Sequence, residues 1–209
     1  MTLSLDCAVM FFLQVDEMNE FSVVCRILGT LFNRSPQDPL LAPLFTLIAQ
    51  GKLAQQWPLA QDELMARWQR SVDLPTMSAD YEALFGAEPS VAPWRSSWEP
   101  DAPEAEIRTF LQQCGMPLGD GPVDHFGALL LAASWLEDQA QEDETAAQSA
   151  FFDNYLLPWS DRFLGKVESH ATSAFYRTLA IICREALDAM RDELAEAEDD
   201  ETDDETSEE

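Results

Sequence analysis

The sequence predicts an all-α fold, a single helical domain of about eight or nine helices around one central apolar helix. Apolar residues recur at every third or fourth position along most of the chain, which is the periodicity of amphipathic helices. No run of residues alternates apolar and polar side chains in the manner of a strand. Residues 126–136 are apolar on every side, which is typical of a helix that other helices surround.

Asp124 and His125 stand near the predicted start of this central helix. The helix is expected to begin around Pro122, because a proline in the first turn gives up no helical hydrogen bond. The two ionisable residues should then lie at the rim of the core. Asp124 is favoured electrostatically at a helix N-terminus. His125 has three interpretations: a helix cap, a contact for a ligand or peptide, or a catalytic base.

Four helices are predicted in the first part of the chain. Apolar spacing places the first at residues 19–33, and Asp38 caps a second that ends at Gly51. The third and fourth helices are predicted at residues 62–71 and 78–85.

The longest irregular stretch is residues 86–103, in which four prolines exclude a continuous helix. It contains Trp94 and Trp98, and large aromatic residues in a loop either anchor the loop to the core or form a contact surface. Besides the central helix, the second half is predicted to hold helices at residues 103–115, at 146–157 with an end before Pro158, at 159–167 and at 172–195.

Acidic residues dominate the charge of the chain, whose formal net charge is −27. Such a balance argues against binding nucleic acid, which needs clustered lysine and arginine. It fits a basic partner, or solubility alone. We expect one all-helical domain at residues 18–195, a possible N-terminal extension at residues 1–17 and a disordered acidic tail at residues 196–209, since the tail has almost nothing to bury.

The sequence lacks recognisable motifs for catalysis and for metal or cofactor binding. It has two histidines and four cysteines, without CxxC spacing, an HExxH motif, a P-loop or a GxGxxG motif. We therefore expect no enzyme, no metal and no cofactor; a small hydrolase that uses His125 and a nearby carboxylate is the alternative. The cysteines fit buried thiols in a reducing cytoplasm, and neither a signal peptide nor a membrane span is predicted.

Three segments occur in the order and spacing of one known family. They are Leu84-Phe85 with the later Pro93-Trp94, then Pro122-Val123-Asp124-His125, and then Phe152 with Leu157-Pro158-Trp159. Together they resemble the TorD/DmsD family of chaperones for redox-enzyme maturation over about residues 18–190, and the YcdY-type subgroup is the most similar. Tyr155 stands where the family usually has a histidine, and Ala128 where it has a glutamate.

The resemblance implies a cytoplasmic chaperone that binds the leader peptide or the apo-form of a client metalloenzyme before its cofactor is inserted. An acidic surface would attract the arginines of a twin-arginine leader. A soluble metal-dependent phosphatase of the PHP type is an alternative client. The chain is expected to be a monomer or a dimer swapped through a hinge at residues 139–144. The client-binding residues that the resemblance implies are Leu84, Phe85, Pro93, Trp94, Asp124 and His125.

Overall fold

The computed structural model describes residues 20–139 and 145–206, with side chains described as far as Glu196. These residues form nine α-helices and no β-strand, which confirms the predicted all-α fold. The predicted extension at residues 1–17 and most of the predicted hinge lie outside the described ranges. The helices are α1 Glu20–Asn33, α2 Ala42–Ala49, α3 Asp62–Gln69, α4 Leu74–Phe85, α5 Glu104–Gln113, α6 Phe126–Gln139, α7 Ala146–Phe151, α8 Leu157–His170 and α9 Ala174–Thr206.

Helix α6 is the central helix that its sequence predicts. Most of its residues are buried, and Trp135 is half-buried. Its first residue, Phe126, packs in an aromatic cluster, with its ring centroid 4.5 Å from that of Phe163 and 5.5 Å from that of Trp159. In the described part of the chain, no helix is both long enough and apolar enough to cross a membrane.

Helices α1 and α6 cross where two glycines face each other. A methyl group on Gly29 would lie 2.8 Å from the carbonyl oxygen of Gly127, and a methyl group on Gly127 would lie 2.6 Å from the carbonyl oxygen of Gly29. Neither position has room for a side chain, so the two backbones are in direct contact. The crossing fixes the first turn of α6, to which Asp124 and His125 lead.

Several predicted helix boundaries are confirmed. Asp38 caps the 3-10 turn Pro39–Leu41 by accepting a hydrogen bond from the Leu40 amide at 2.9 Å. Gly51 and Gly115 follow α2 and α5 with φ angles of 70° and 85°, a conformation that glycine adopts without strain.

The start of α6 differs from the prediction. The helix begins at Phe126 rather than near Pro122. Asp124 and His125 instead lie before the helix, because His125 forms an antiparallel bridge with Trp94 of the proline-rich loop. Sequence spacing does not reveal this long-range pairing.

The start of α4 also differs, since the helix begins at Leu74 rather than at residue 78. The carboxylate of Asp73 accepts a hydrogen bond from the Thr76 amide at 3.2 Å, and Pro75 fits the first turn. Both signals are present in the sequence, and they place the helix start correctly once they are read together.

The prediction that a helix ends before Pro158 is wrong. Helix α7 continues through a π turn, Phe152–Leu156, into α8, and the Leu157 amide donates a hydrogen bond to the carbonyl oxygen of Phe152. The wider turn accommodates Pro158 in the first turn of α8, where its missing N–H is tolerated. The segment predicted at residues 159–167 is part of the same α8.

The last helix, α9, begins at Ala174 and its helical backbone continues to Thr206, past the predicted end at Ala195. Glutamate and alanine are good helix formers, so helical backbone can extend into an acidic segment that has no apolar face. The prediction that the tail buries nothing stays a prediction, because no side chain is described beyond Glu196.

Candidate functional site

A short antiparallel bridge joins the proline-rich loop to the start of α6. The amide of Phe126 donates a hydrogen bond to the carbonyl oxygen of Pro93 at 2.8 Å, and the amide of Arg95 donates one to the carbonyl oxygen of Asp124 at 2.9 Å. These two bonds hold the loop against the N-terminus of the central helix. They bring together four of the six predicted site residues, which are Pro93, Trp94, Asp124 and His125.

Trp94 and His125 form the centre of this bridge. Their rings meet edge to face, with centroids 4.8 Å apart and an interplanar angle of 76°. Trp94 is half-buried, whereas His125 is only 8% exposed. The tryptophan is therefore the accessible member of the pair, and the histidine supports it from the protein side.

His125 caps the central helix, which was one of its three interpretations. Its Nδ1 accepts a hydrogen bond from the Gly127 amide at 3.1 Å. Burial lowers the pKa of His125 to about 4, although the nearby Asp124 carboxylate acts in the opposite direction. The ring is therefore neutral at pH 7, with its proton on Nε2, because Nδ1 is an acceptor.

Asp124 is 5% exposed and serves the loop rather than α6. One of its carboxylate oxygens accepts a hydrogen bond from the Ser96 amide at 3.2 Å, in the 3-10 turn Arg95–Ser97. Asp124 was expected to stabilise the N-terminus of α6, but His125 caps that helix. Asp124 instead stabilises the turn that follows Trp94. Neither group is freely accessible to a partner.

The other two predicted site residues lie at the end of α4. Leu84 is 1% exposed and belongs to the core. Phe85 is half-buried, and its ring centroid lies 6.2 Å from that of Phe163. Phe163 in turn lies 6.2 Å from Trp98, so one core ring connects α4 with the proline-rich loop.

Trp98 anchors the loop to the core, the first of the two roles considered for the loop aromatics. Its indole N–H donates a hydrogen bond to the carbonyl oxygen of Ala92 at 2.8 Å. Its ring packs against Phe163 and against Trp159, whose centroid is 6.5 Å away. With Trp98 fixed in this way, Trp94 is the tryptophan of the loop that the bridge presents at the surface.

Arg95 is a residue of this region that sequence reasoning missed. It is 6% exposed, its Nε donates to Glu99 at 2.7 Å, and its Nη2 donates to the carbonyl oxygen of Asn154 at 3.2 Å. Its guanidinium also lies over the ring of Tyr155, 5.3 Å from the centroid. The spacing of Arg95 and Glu99 at i and i+4 was the only local signal.

Comparison with known proteins identifies the family. The family model described as "Nitrate reductase delta subunit" matches residues 50–165. "Chaperone protein YcdY" of Escherichia coli (strain K12) is 61% identical over 180 residues, which cover 86% of this chain and 98% of that protein. The chain belongs to the TorD/DmsD family of redox-enzyme maturation chaperones.

Two further relatives of this TorD/DmsD family member are also named as chaperones. "Tat proofreading chaperone DmsD" of Salmonella typhi is 33% identical over 188 residues, covering 83% of this chain and 88% of that protein. "Probable Tat proofreading chaperone DmsD" of Haemophilus influenzae is 25% identical over 193 residues, covering 85% and 93%.

The family resemblance predicted from the three sequence segments is therefore confirmed. The family consists of maturation chaperones, so the expectation that the chain is not an enzyme is confirmed as well. The alternative of a hydrolase that uses His125 is wrong. In physical terms, Nδ1 of His125 already accepts the Gly127 amide, and burial disfavours the protonated ring that a general base must form.

Proposed function

We propose that this TorD/DmsD chaperone holds a client through the half-buried face of Trp94, at the point where the proline-rich loop meets the central helix. The client is the leader peptide or the apo-form of a metalloenzyme, and it is held until the enzyme matures. The observation that carries the proposal is the Trp94–His125 pair. An accessible indole is fixed there by a buried ring and by two backbone hydrogen bonds.

Trp94 suits this role because a rigid aromatic side chain contributes much apolar contact area at a low cost in conformational entropy. The half-buried Phe85 is a second apolar contact in this proposal, and the buried Leu84 and Pro93 directly precede the two aromatic residues in the chain. Asp124 and His125 act through the position of the loop, since both are buried. Their replacement should weaken client binding by displacing Trp94.

Calorimetric titration with a synthetic twin-arginine leader peptide tests the proposal. Trp94→Ala should weaken binding by about 2 kcal/mol, the usual cost at an interface hot spot. Trp135→Ala is the matched control, because Trp135 is also half-buried but lies on α6 beyond the bridge. If Trp94→Ala and Trp135→Ala bind the peptide as tightly as the wild type, the proposed site is wrong.

The identity of the client is a separate part of the proposal. The higher identity to a YcdY chaperone than to the DmsD chaperones favours a client other than a DmsD substrate. A soluble PHP-type phosphatase is the second candidate, and it would be held at the same Trp94 surface. We propose that the complex forms in the cytoplasm, where the leader peptide is still attached to the client. The chaperone binds the client as a monomer or as a swapped dimer.

A further inference from the structure

Two carboxylates next to the Trp94 bridge already have partners. Asp124 is 5% exposed and bonded to the Ser96 amide, and Glu99 forms an ion pair with Arg95 at 2.7 Å. A client arginine at Trp94 would meet carboxylates that are already occupied. A cationic client would therefore gain from a further carboxylate that has no partner within the protein.

A groove on the surface of α5 lies next to this region. It has a volume of about 360 Å³, and Tyr155 of the π turn lines it together with residues of α5. We call it the α5 groove, and its lining residues are Ala105, Glu106, Thr109, Phe110, Gln113 and Tyr155.

The floor of the α5 groove is aromatic. Phe110 and Tyr155 are both half-buried, with ring centroids 5.2 Å apart, and Phe151 packs beneath them with its centroid 6.1 Å from Phe110. Three polar residues of the lining, Glu106, Thr109 and Gln113, are exposed. An apolar side chain can therefore pack on the two rings while its neighbour reaches a polar rim.

Glu106 supplies the charge of the rim. Among the described residues it takes part in none of the ion pairs; Arg108 of the same helix pairs with Glu104 instead. Its exposed carboxylate is thus available to a cation, and the Arg95 guanidinium, which lies against Tyr155 of the floor, is paired with Glu99. The charge of the groove is complementary to a lysine or arginine.

Arg95 connects the α5 groove to the Trp94 surface. It follows Trp94 directly in the chain, and its guanidinium covers one face of Tyr155. The Trp94 bridge and the groove are therefore linked through the Arg95 side chain. A client segment that contacts Trp94 can extend over Arg95 into the groove.

We propose that the α5 groove is a second client contact, which takes a lysine or arginine at Glu106 and a neighbouring apolar side chain on Phe110 and Tyr155. The proposal rests on the proposed function, because it assumes a client held at Trp94. It adds the carboxylate that recognises the client's positive charge.

The test uses two adjacent glutamines of α5. Both are exposed, but Gln113 lines the groove and Gln112 does not. Gln113→Arg places a positive charge in the groove and should weaken binding of a twin-arginine leader peptide by roughly threefold to tenfold. Gln112→Arg changes the net charge equally and should leave the affinity within about twofold of the wild type.

A second pair of variants tests Glu106 itself. Glu106→Gln should weaken binding by roughly threefold, whereas Glu63→Gln, an exposed glutamate in the first turn of α3, should not. With a peptide whose arginines are replaced by glutamine, the difference between Gln113→Arg and Gln112→Arg should disappear.

The outcomes separate this inference from the proposed function. If Trp94→Ala weakens binding but Gln113→Arg and Gln112→Arg bind alike, the groove proposal is overturned and the Trp94 site stands. If Gln113→Arg weakens binding while Trp94→Ala does not, the groove binds the client and the Trp94 site is wrong. A wild-type protein that binds neither peptide overturns the groove proposal and excludes a twin-arginine leader as the client.

Discussion

The carbonyl oxygen of Asn154 accepts a hydrogen bond from Nη2 of Arg95 at 3.2 Å. Asn154 lies four residues before Pro158, so its carbonyl faces a position at which an α-helix would supply an N–H but proline has none. Arg95 therefore provides the donor that Pro158 cannot. This contact attaches the loop carrying Trp94 to the π turn, whose Tyr155 lines the α5 groove.

Replacing Arg95 tests this attachment. Arg95→Met should lower the free energy of unfolding by about 2 to 4 kcal/mol, because it leaves the Asn154 carbonyl without this donor and the Glu99 carboxylate without its partner. Urea denaturation measures the change. Arg67→Met, at an exposed position on α3, is the control and should change stability by less than about 0.5 kcal/mol. Equal effects of the two variants would show that the Arg95 contacts do not stabilise the fold.

The crossing of α1 and α6 predicts a large effect of a single methyl group. Gly127→Ala should destabilise the protein by about 3 kcal/mol or more, because the new Cβ would meet the Gly29 carbonyl oxygen and the two helices would have to separate. Gly119→Ala is the control, since a Cβ there meets no atom within 4 Å. Thermal melts of both variants make the comparison, and a Gly127→Ala variant as stable as the control would contradict the close approach.

A buried carboxylate on α4 caps the last helix from a distance. Asp80 is 2% exposed and accepts hydrogen bonds from the amides of Thr172 and Ser173 at 3.0 and 2.9 Å, and also from both hydroxyls. Asp80→Ala should cost about 2 to 4 kcal/mol in urea denaturation, because four donors lose their acceptor. Glu82→Ala on the same helix is exposed and should cost less than about 0.5 kcal/mol. A small loss for Asp80→Ala would mean that water replaces the carboxylate.

The buried His125 makes stability depend on pH. Its folded pKa of about 4 lies below its unfolded value of 6.5, so the unfolded chain takes up the proton first as the pH falls. Between pH 7 and pH 5, the free energy of unfolding of the wild type should therefore fall by about 2 kcal/mol more than that of a His125→Asn variant. Burial and neighbouring acids raise the pKa of Glu137 to about 7. Its contribution to stability therefore changes with pH in the opposite direction, but it is the same in both proteins and cancels in the comparison. Identical pH profiles of the two proteins would show that His125 is not buried in its neutral form.

Local patterns predicted the helical fold, but long-range contacts decided the details of the site. The apolar run from Phe126 identified the central helix, and the Asp-His sequence before it indicated the region of the candidate site. Nothing local showed that Asp124 would bond to the Ser96 amide, 28 residues earlier in the chain. Arg95 was missed for the same reason, since its partner at Asn154 is 59 residues away. The Asp-His pair is buried because of these contacts. The accessible side chain at the bridge is its neighbour Trp94.

Photo-crosslinking in living cells tests the central claim most directly. A benzoylphenylalanine placed at position 94 should form an adduct with a metalloenzyme precursor or apo-enzyme, identified by mass spectrometry, whereas the same group at position 135 should not. The adduct would also distinguish a redox enzyme from a PHP-type phosphatase. A position-94 variant that folds normally but yields no client adduct, or yields the same adducts as position 135, would contradict the account of Trp94 as the client-holding surface.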